Sequence, residues 1–424
     1  MTLSSEKLAI EGGQPIYAGS WPSSFHGSEE FADEERTAVL RVLDKKRVFR
    51  YLPNGIEDSE ASQLEAAYRR FAGRAFALAV SSGTAALISA LVGAGVGPGD
   101  EVIVPAYTYI ATAAAVIAVR AVPVIAEIDN SLNLDPQDLE RKITPYTKAV
   151  IPVHMRGVPA RMAEIMDVAR RKKLVVVEDV SQANGGSYRG QQLGAIGEFG
   201  CFSLQQSKVI TAGEGGVVVT DDETSFQRCL MTHDSAMRFW QGDDAIAGFP
   251  GENYRLSELA AALALAQFGK LPSILERLRA NKARVVAQIQ YLPGVELQDV
   301  PDPVGDCGVA LIFFCPTAER AKQFSAALKA EGIRNGTMYD NTIADRHIYR
   351  NWDYVLAKRG ATAANCPWSC GAYHGNVEYS PDMCPRSLDY LGRAISIGIS
   401  QNLTAEHTDL IAAGIRKVAQ ALLG

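Results

Sequence analysis

The sequence has no apolar run of membrane-spanning length. Its longest, around Ala111–Val119, falls far short of the ~20 residues a spanning helix needs. The opening MTLSSEKLAIEGGQP carries no basic stretch followed by an apolar core, so no secretory leader is read there. Cysteine is scarce: seven in 424 residues, an odd number scattered from Cys201 to Cys384. The nearest pair, Cys366 and Cys370, has no His or Cys partner at zinc-binding spacing, so no metal site is expected. Reduced thiols and a cytoplasmic location are the expectation. There is no excess of positive charge either. Lys+Arg 42 against Asp+Glu 48 gives a net charge of −6, which argues against a general binder of nucleic acid or membrane surfaces. A local basic pocket for a phosphorylated ligand is still compatible with that balance.

What is present is ordinary globular composition, 47% hydrophobic and 21% charged, in a chain long enough for two or three domains. From Phe76 to Val219, apolar runs alternate with helical patterns. AFALAV, EVIVP, VPVIAEI, AVIPV and LVVVED read as strands buried on both faces, the habit of a parallel sheet. Met162, Ile165, Met166 and Ala169 share one helix face, as a crossover between parallel strands requires. Together these predict an α/β architecture with a mostly parallel sheet. After Gly251 the texture changes. Tyr254–Leu292 is Ala/Leu-rich and helical, interrupted at Pro272, and reads as a connector. Short strands (VALIFFC, AISIGIS) then mix with helices, the last placing Ile411, Ile415, Val418 and Leu422 on one face. The expected division is a large α/β domain over 1–255, including an N-terminal arm, and a connector helix with a smaller α+β domain over 256–424. Asp340–Pro385 has little periodicity and reads as a long loop.

Four features of the large domain point to chemistry when taken together. SSGTAAL at Ser81–Leu87 follows a strand and opens a helix, where small residues let backbone N–H groups approach an anion. LVVVEDVSQ ends a buried strand in Glu178 and Asp179, where open α/β sheets bind ligands, with Gln182 three residues beyond Asp179. CFSLQQSKVITAGEGG sets Lys208 between an aromatic strand and a glycine turn, five residues after Ser203. A lysine desolvated there loses its proton readily and attacks carbonyl carbon. GENYR, at Gly251–Arg255, precedes the connector helix. Read singly, these are equally a tight turn, a helix cap, a surface charge and a loop. His154, in PVHMRG, reads as a structural histidine and is left out of the site.

The order and wording of SSGTAAL, VEDVSQ, FSLQQSK and AGEGG resemble the DegT/DnrJ/EryC1/StrS family. Its members are pyridoxal-phosphate (PLP) aminotransferases of the aspartate aminotransferase-like fold, type I. The resemblance implies that Lys208 carries the cofactor and shuttles the proton of the substrate's Cα. It implies that Asp179 pairs with the ring nitrogen, that Gln182 lies near the phenolic oxygen and that Tyr109 stacks on the ring. Gly83, Thr84 and Ser203 match the phosphate cradle. Asn253 matches a phosphate ligand donated by a second subunit, which implies a homodimer with shared active sites. Arg255 is a candidate for binding the donor's carboxylate.

Many family members acting on nucleotide-linked keto-sugars have Asn after the lysine, where this chain has Val209. QQSKV and the LAIEGGQP opening look more like members that aminate keto-cyclitols in antibiotic pathways, typically from L-glutamine. The expected function is therefore amino transfer from L-glutamine or L-glutamate to a keto-cyclitol or keto-sugar. The alternatives are a nucleotide-diphospho-keto-sugar aminotransferase and, from another class, a non-catalytic PLP- or effector-binding regulator. Dehydratases of the family replace the lysine with His, so Lys208 argues against that activity. The acceptor pocket is expected from Phe49–Tyr51 and the loop around His347.

Overall fold

The computed structural model describes residues 7–51, 58–237, 247–339 and 344–423. Each apolar run between Phe76 and Asp179 forms a strand. They are β1 (Phe76–Val80), β2 (Glu101–Pro105), β3 (Val122–Ala126), β4 (Thr147–Val150) and β5 (Val175–Asp179). A short hairpin follows, β6 (Ser187–Tyr188) with β7 (Gln191–Gln192), then β8 (Phe199–Ser203) and β9 (Gly216–Thr220). Seven of these make one sheet in the order β1-β9-β8-β5-β4-β2-β3. All run parallel except β9, which is antiparallel to both β1 and β8. Nearly every residue of β2, β3, β8 and β9 is buried, because helices cover both faces. The crossover helix Met162–Lys172 turns Met162, Ile165 and Ala169 fully inward, with Met166 packed at the margin.

A second sheet near the C-terminus is antiparallel throughout, in the order β10 (Glu296–Leu297), β11 (Ala310–Phe314), β13 (Ala394–Gly398), β12 (Gly336–Thr337). The terminal helix Ala405–Leu422 buries Ile411, Ile415 and Val418, with Leu422 packed at the margin of the core. The N-terminal arm reaches this region: Tyr17 N–H donates to Glu331 O and Trp21 Nε1 to Gly332 O.

Two expectations about continuity are corrected. The connector is one unbroken helix, Glu258–Ile289, with Pro272 inside it. Pro272 lacks the N–H that would bond the preceding turn, yet Leu271, Ile274, Leu275 and Leu278 around it are all buried. Tertiary packing therefore overrides the local break. By length and apolar composition this helix is long enough to cross a membrane, but here its apolar side forms part of the protein core. The long segment after Asp340, of which 340–343 lie outside the described residues, is also less irregular than expected. Ile348, Tyr349, Trp352 and Val355 are fully buried and support a 3-10 turn, Tyr349–Asn351, and a helical turn, Asp353–Leu356. That anchor ties the segment to the large sheet, where Thr108 N–H donates to His347 O and Tyr349 N–H to Ala106 O.

Candidate active site

A cavity of about 410 Å³ opens at the carboxyl ends of the parallel strands, lined by Gly83, Thr84, Tyr109, Asp179, Gln182, Ser203 and Lys208. Six of these residues come from three of the four sequence features and Tyr109 from outside them, and the fold brings all seven to one cavity.

Helix Gly83–Gly93 starts at the end of β1, with Ser82 as its cap accepting from Ala85 N–H at 3.0 Å. That leaves the N–H groups of Gly83 and Thr84, both at the cavity lining, without intrahelical partners, the arrangement that attracts an anion. Gly83 is required by proximity. A Cβ there would lie 2.8 Å from Ser203 Cβ and 3.2 Å from Ser181 Oγ. This hydroxyl-rimmed concavity fits a phosphate.

Asp179 ends β5 and is buried. Ser181 N–H donates to its Oδ1 and Thr112 Oγ1 to its Oδ2, both at 3.0 Å. Thr112 is in turn 2.7 Å from Thr108 Oγ1. The neighbouring Glu178 faces the other way. It accepts from Gly194, Ile196 and Gly197 N–H and from His154 Nε2, while His154 Nδ1 accepts from Ala160 N–H. His154 is thus structural, as read. Burial alone would push Glu178 up, but His154 and the loop N–H groups hold it below the usual carboxylate range.

Lys208 sits in the turn between β8 and β9. Leu204 N–H to Gly215 O, Gln206 N–H to Gly213 O and Ala212 N–H to Leu204 O tie that turn together, and Gly213 adopts φ +80°, a left-handed conformation suited to glycine. Val209 and Ile210, both buried, pin the turn to the core. Burial pushes the Lys208 ammonium below its ordinary range, with Arg156 adding to the effect and Asp179 and Glu214 opposing it. Tyr109 is half exposed, with its ring 5.2 Å from that of His347. Gln182 Oε1 accepts from Arg156 N–H at 3.2 Å, which leaves its amide N–H groups for a ligand.

Two candidates lie elsewhere. Asn253 is exposed and does not line this chain's cavity. Arg255 pairs with buried Asp234 at 2.9 Å, and its guanidinium lies over the Phe49 ring at 5.5 Å. In the expected acceptor pocket, His347 lines the cavity but Phe49 and Tyr51 do not; Tyr51 is buried against His233. Thr112, Ser181 and Arg156 were not singled out from the sequence, although Ser181 lies within VEDVSQ and Arg156 within PVHMRG.

The sequence model of the DegT/DnrJ/EryC1/StrS aminotransferase family matches residues 32–370. The chain belongs to this family. Among its relatives, L-glutamine:2-deoxy-scyllo-inosose aminotransferase from Micromonospora echinospora is 37% identical over 285 residues, 65% of this chain and 67% of that enzyme. The enzyme of the same name from Streptomyces kanamyceticus is 38% identical over 305 residues, 68% of each chain. GDP-perosamine synthase from Caulobacter vibrioides is 41% identical over 229 residues, 53% of this chain and 59% of that one. The solved structure of S. venezuelae DesV superposes with a TM-score of 0.74 at 30% identity, covering 92% of this chain and 96% of that one. As a family member, the chain is a PLP-dependent transaminase working on a small-molecule amino donor and a keto acceptor.

Proposed function

We propose that the enzyme aminates a keto-cyclitol, with L-glutamine or L-glutamate as donor, in the biosynthesis of an antibiotic or related secondary metabolite. The observation that carries this reading is the pair of relatives named for 2-deoxy-scyllo-inosose, each matched over about two thirds of its length. PLP, when bound, supplies a carbonyl that exchanges amines and a ring that accepts electrons from the substrate's Cα. The residues divide the remaining work. The first turn of helix Gly83–Gly93, with Ser203, holds the phosphate, and Tyr109 covers the ring. Asp179, held on both oxygens, keeps a proton on the ring nitrogen. Lys208 Nζ, its charge disfavoured by burial, takes and returns the proton at the substrate's Cα. One site serves donor and acceptor in turn, so ping-pong kinetics follow.

In this reading the protein is a homodimer, and Asn253 of each copy reaches the other's phosphate. Its exposure, outside its own cavity, supports that role. An active, PLP-saturated monomer in sedimentation would remove it. All seven cysteines are free, in keeping with a cytoplasmic location.

The GDP-perosamine synthase relative favours a second reading, a nucleotide-diphospho-keto-sugar acceptor. Against it, Arg50, the cation of the Phe49–Tyr51 segment expected to shape the acceptor pocket, is buried in an ion pair with Glu65 and not offered to a diphosphate. The deciding experiment separates the half-reactions by cofactor absorbance. The PLP form is mixed with L-glutamine or L-glutamate, and the pyridoxamine form with keto-cyclitols or nucleotide-linked keto-sugars. Return of the PLP spectrum with the cyclitol ketone is expected. Return only with the nucleotide-linked sugar would overturn the reading.

A further inference from the structure

A second cavity of about 290 Å³ adjoins the first and shares Gln182, Ser207, Lys208 and His347 with it. A ligand seated there therefore lies beside Lys208. Its described lining contains no Asp or Glu, and its permanent cation is Arg156. We propose that Arg156 is the carboxylate anchor of the amino donor. The proposal rests on the amino-acid donor assigned above.

The arrangement around Arg156 is built to hold a guanidinium still while leaving its end free. The residue adopts φ +53°, ψ +30°, a left-handed conformation uncommon for a side chain of this size. Its N–H donates to Gln182 Oε1 at 3.2 Å and its Nε to Tyr107 Oη at 3.1 Å. Tyr107 is fully buried, and burial pushes its phenol above the usual range, so it stays a neutral acceptor. Among the described residues, the two terminal nitrogens of Arg156 have neither an ion-pair nor a hydrogen-bond partner. The acid that acts electrostatically on Arg156 is Asp345, which lines neither cavity and whose Oδ1 is taken by His347 Nδ1 at 2.7 Å and His347 N–H at 2.9 Å.

A planar guanidinium whose two terminal nitrogens are unused keeps its end-on N–H edge, which a carboxylate matches bidentately. The donor carries that group; a neutral keto-cyclitol does not. Arg156 therefore distinguishes the two substrates that occupy the site in turn, by charge pairing with one and hydroxyl contacts with the other. Arg255, the sequence's candidate for this task, is committed to Asp234 and lines neither cavity.

The test uses the PLP-loaded enzyme and its Arg156→Met and Arg156→Lys variants, with the two half-reactions followed separately. In Arg156→Met, the donor concentration for half-maximal rate should rise about tenfold or more. The acceptor's should change less than about threefold, and the lysine variant should lie between. Glutarate, an unreactive dicarboxylate, should bind the wild-type holoenzyme in isothermal titration and bind Arg156→Met at least about tenfold more weakly. Unchanged donor saturation and glutarate affinity would overturn the proposal. So would equal weakening toward donor, acceptor and PLP, which would make Arg156 only a strut for Tyr107. Tyr107→Phe controls for that strut: it removes the Nε contact, keeps the cation and should retain most of the glutarate affinity. If no amino acid converts the wild-type cofactor, the donor reading fails by itself, and glutarate binding still decides whether Arg156 is a carboxylate site.

Discussion

Thr112 donates its hydroxyl to Asp179 Oδ2 at 3.0 Å, in a crevice where both side chains are almost wholly withdrawn from solvent. With Ser181 N–H on Oδ1, the carboxylate is held on both oxygens before any ligand arrives. Such preorganisation costs nothing at the moment of reaction.

Replacing the charge and replacing its support should therefore differ in size. Asp179→Asn should slow each half-reaction about 100-fold or more with PLP still bound. Thr112→Val keeps the charge and loses one hydrogen bond, for a loss of about tenfold or less. Stopped-flow absorbance of the half-reactions measures both. Near wild-type rates in Asp179→Asn would take Asp179 out of its role.

Gly83→Ala tests the phosphate cradle. A Cβ at 2.8 Å from Ser203 Cβ forces the helix start and β8 apart. Gly83 does not adopt a left-handed φ, so the expected injury is to the concavity and not to backbone conformation. PLP affinity, followed by fluorescence titration, should weaken about tenfold. Retained affinity would mean that the phosphate lies elsewhere.

Glu178 and His154 give a pH prediction. The Glu178 carboxyl sits below its ordinary 4.5 in the fold, so its stabilising contribution is present above that value and is lost as pH falls through the folded one. Glu178→Gln should cost about 1–3 kcal/mol in urea unfolding at neutral pH, because it removes the buried carboxylate charge on which four N–H donors converge. The gap to wild type should narrow in acid, where wild type also loses the charge. Equal gaps at both pH values would contradict the linkage.

Much of this was legible in the sequence, for physical reasons. Strands such as EVIVP stood out because both their faces are buried. Lys208, Asp179, Gln182 and Gly83 were marked by residues whose placement has a local cause, at strand ends, glycine turns and a helix start. The reversal of β9 was not legible, since Gly216–Thr220 is as apolar as any parallel strand and its direction is set by the return from the Lys208 turn. Thr112 and Arg156 escaped notice because their partners, Asp179 and Tyr107, are 67 and 49 residues away in the chain. Arg255 drew attention through its neighbour Asn253, which matched a motif; in the structure its charge is paired with Asp234. The run through Pro272 followed from packing that no local pattern displays.

If Lys208 is the amine that carries the cofactor and moves the substrate's proton, it alone should be trapped on the cofactor by reduction. Borohydride reduction of the PLP-loaded protein, followed by peptide mapping, tests this most directly. One modified peptide is expected, with the label on Lys208. None is expected in Lys208→Ala, which should still bind PLP through the cradle but lose turnover. A label on any other lysine, or turnover that survives Lys208→Ala, would contradict that role.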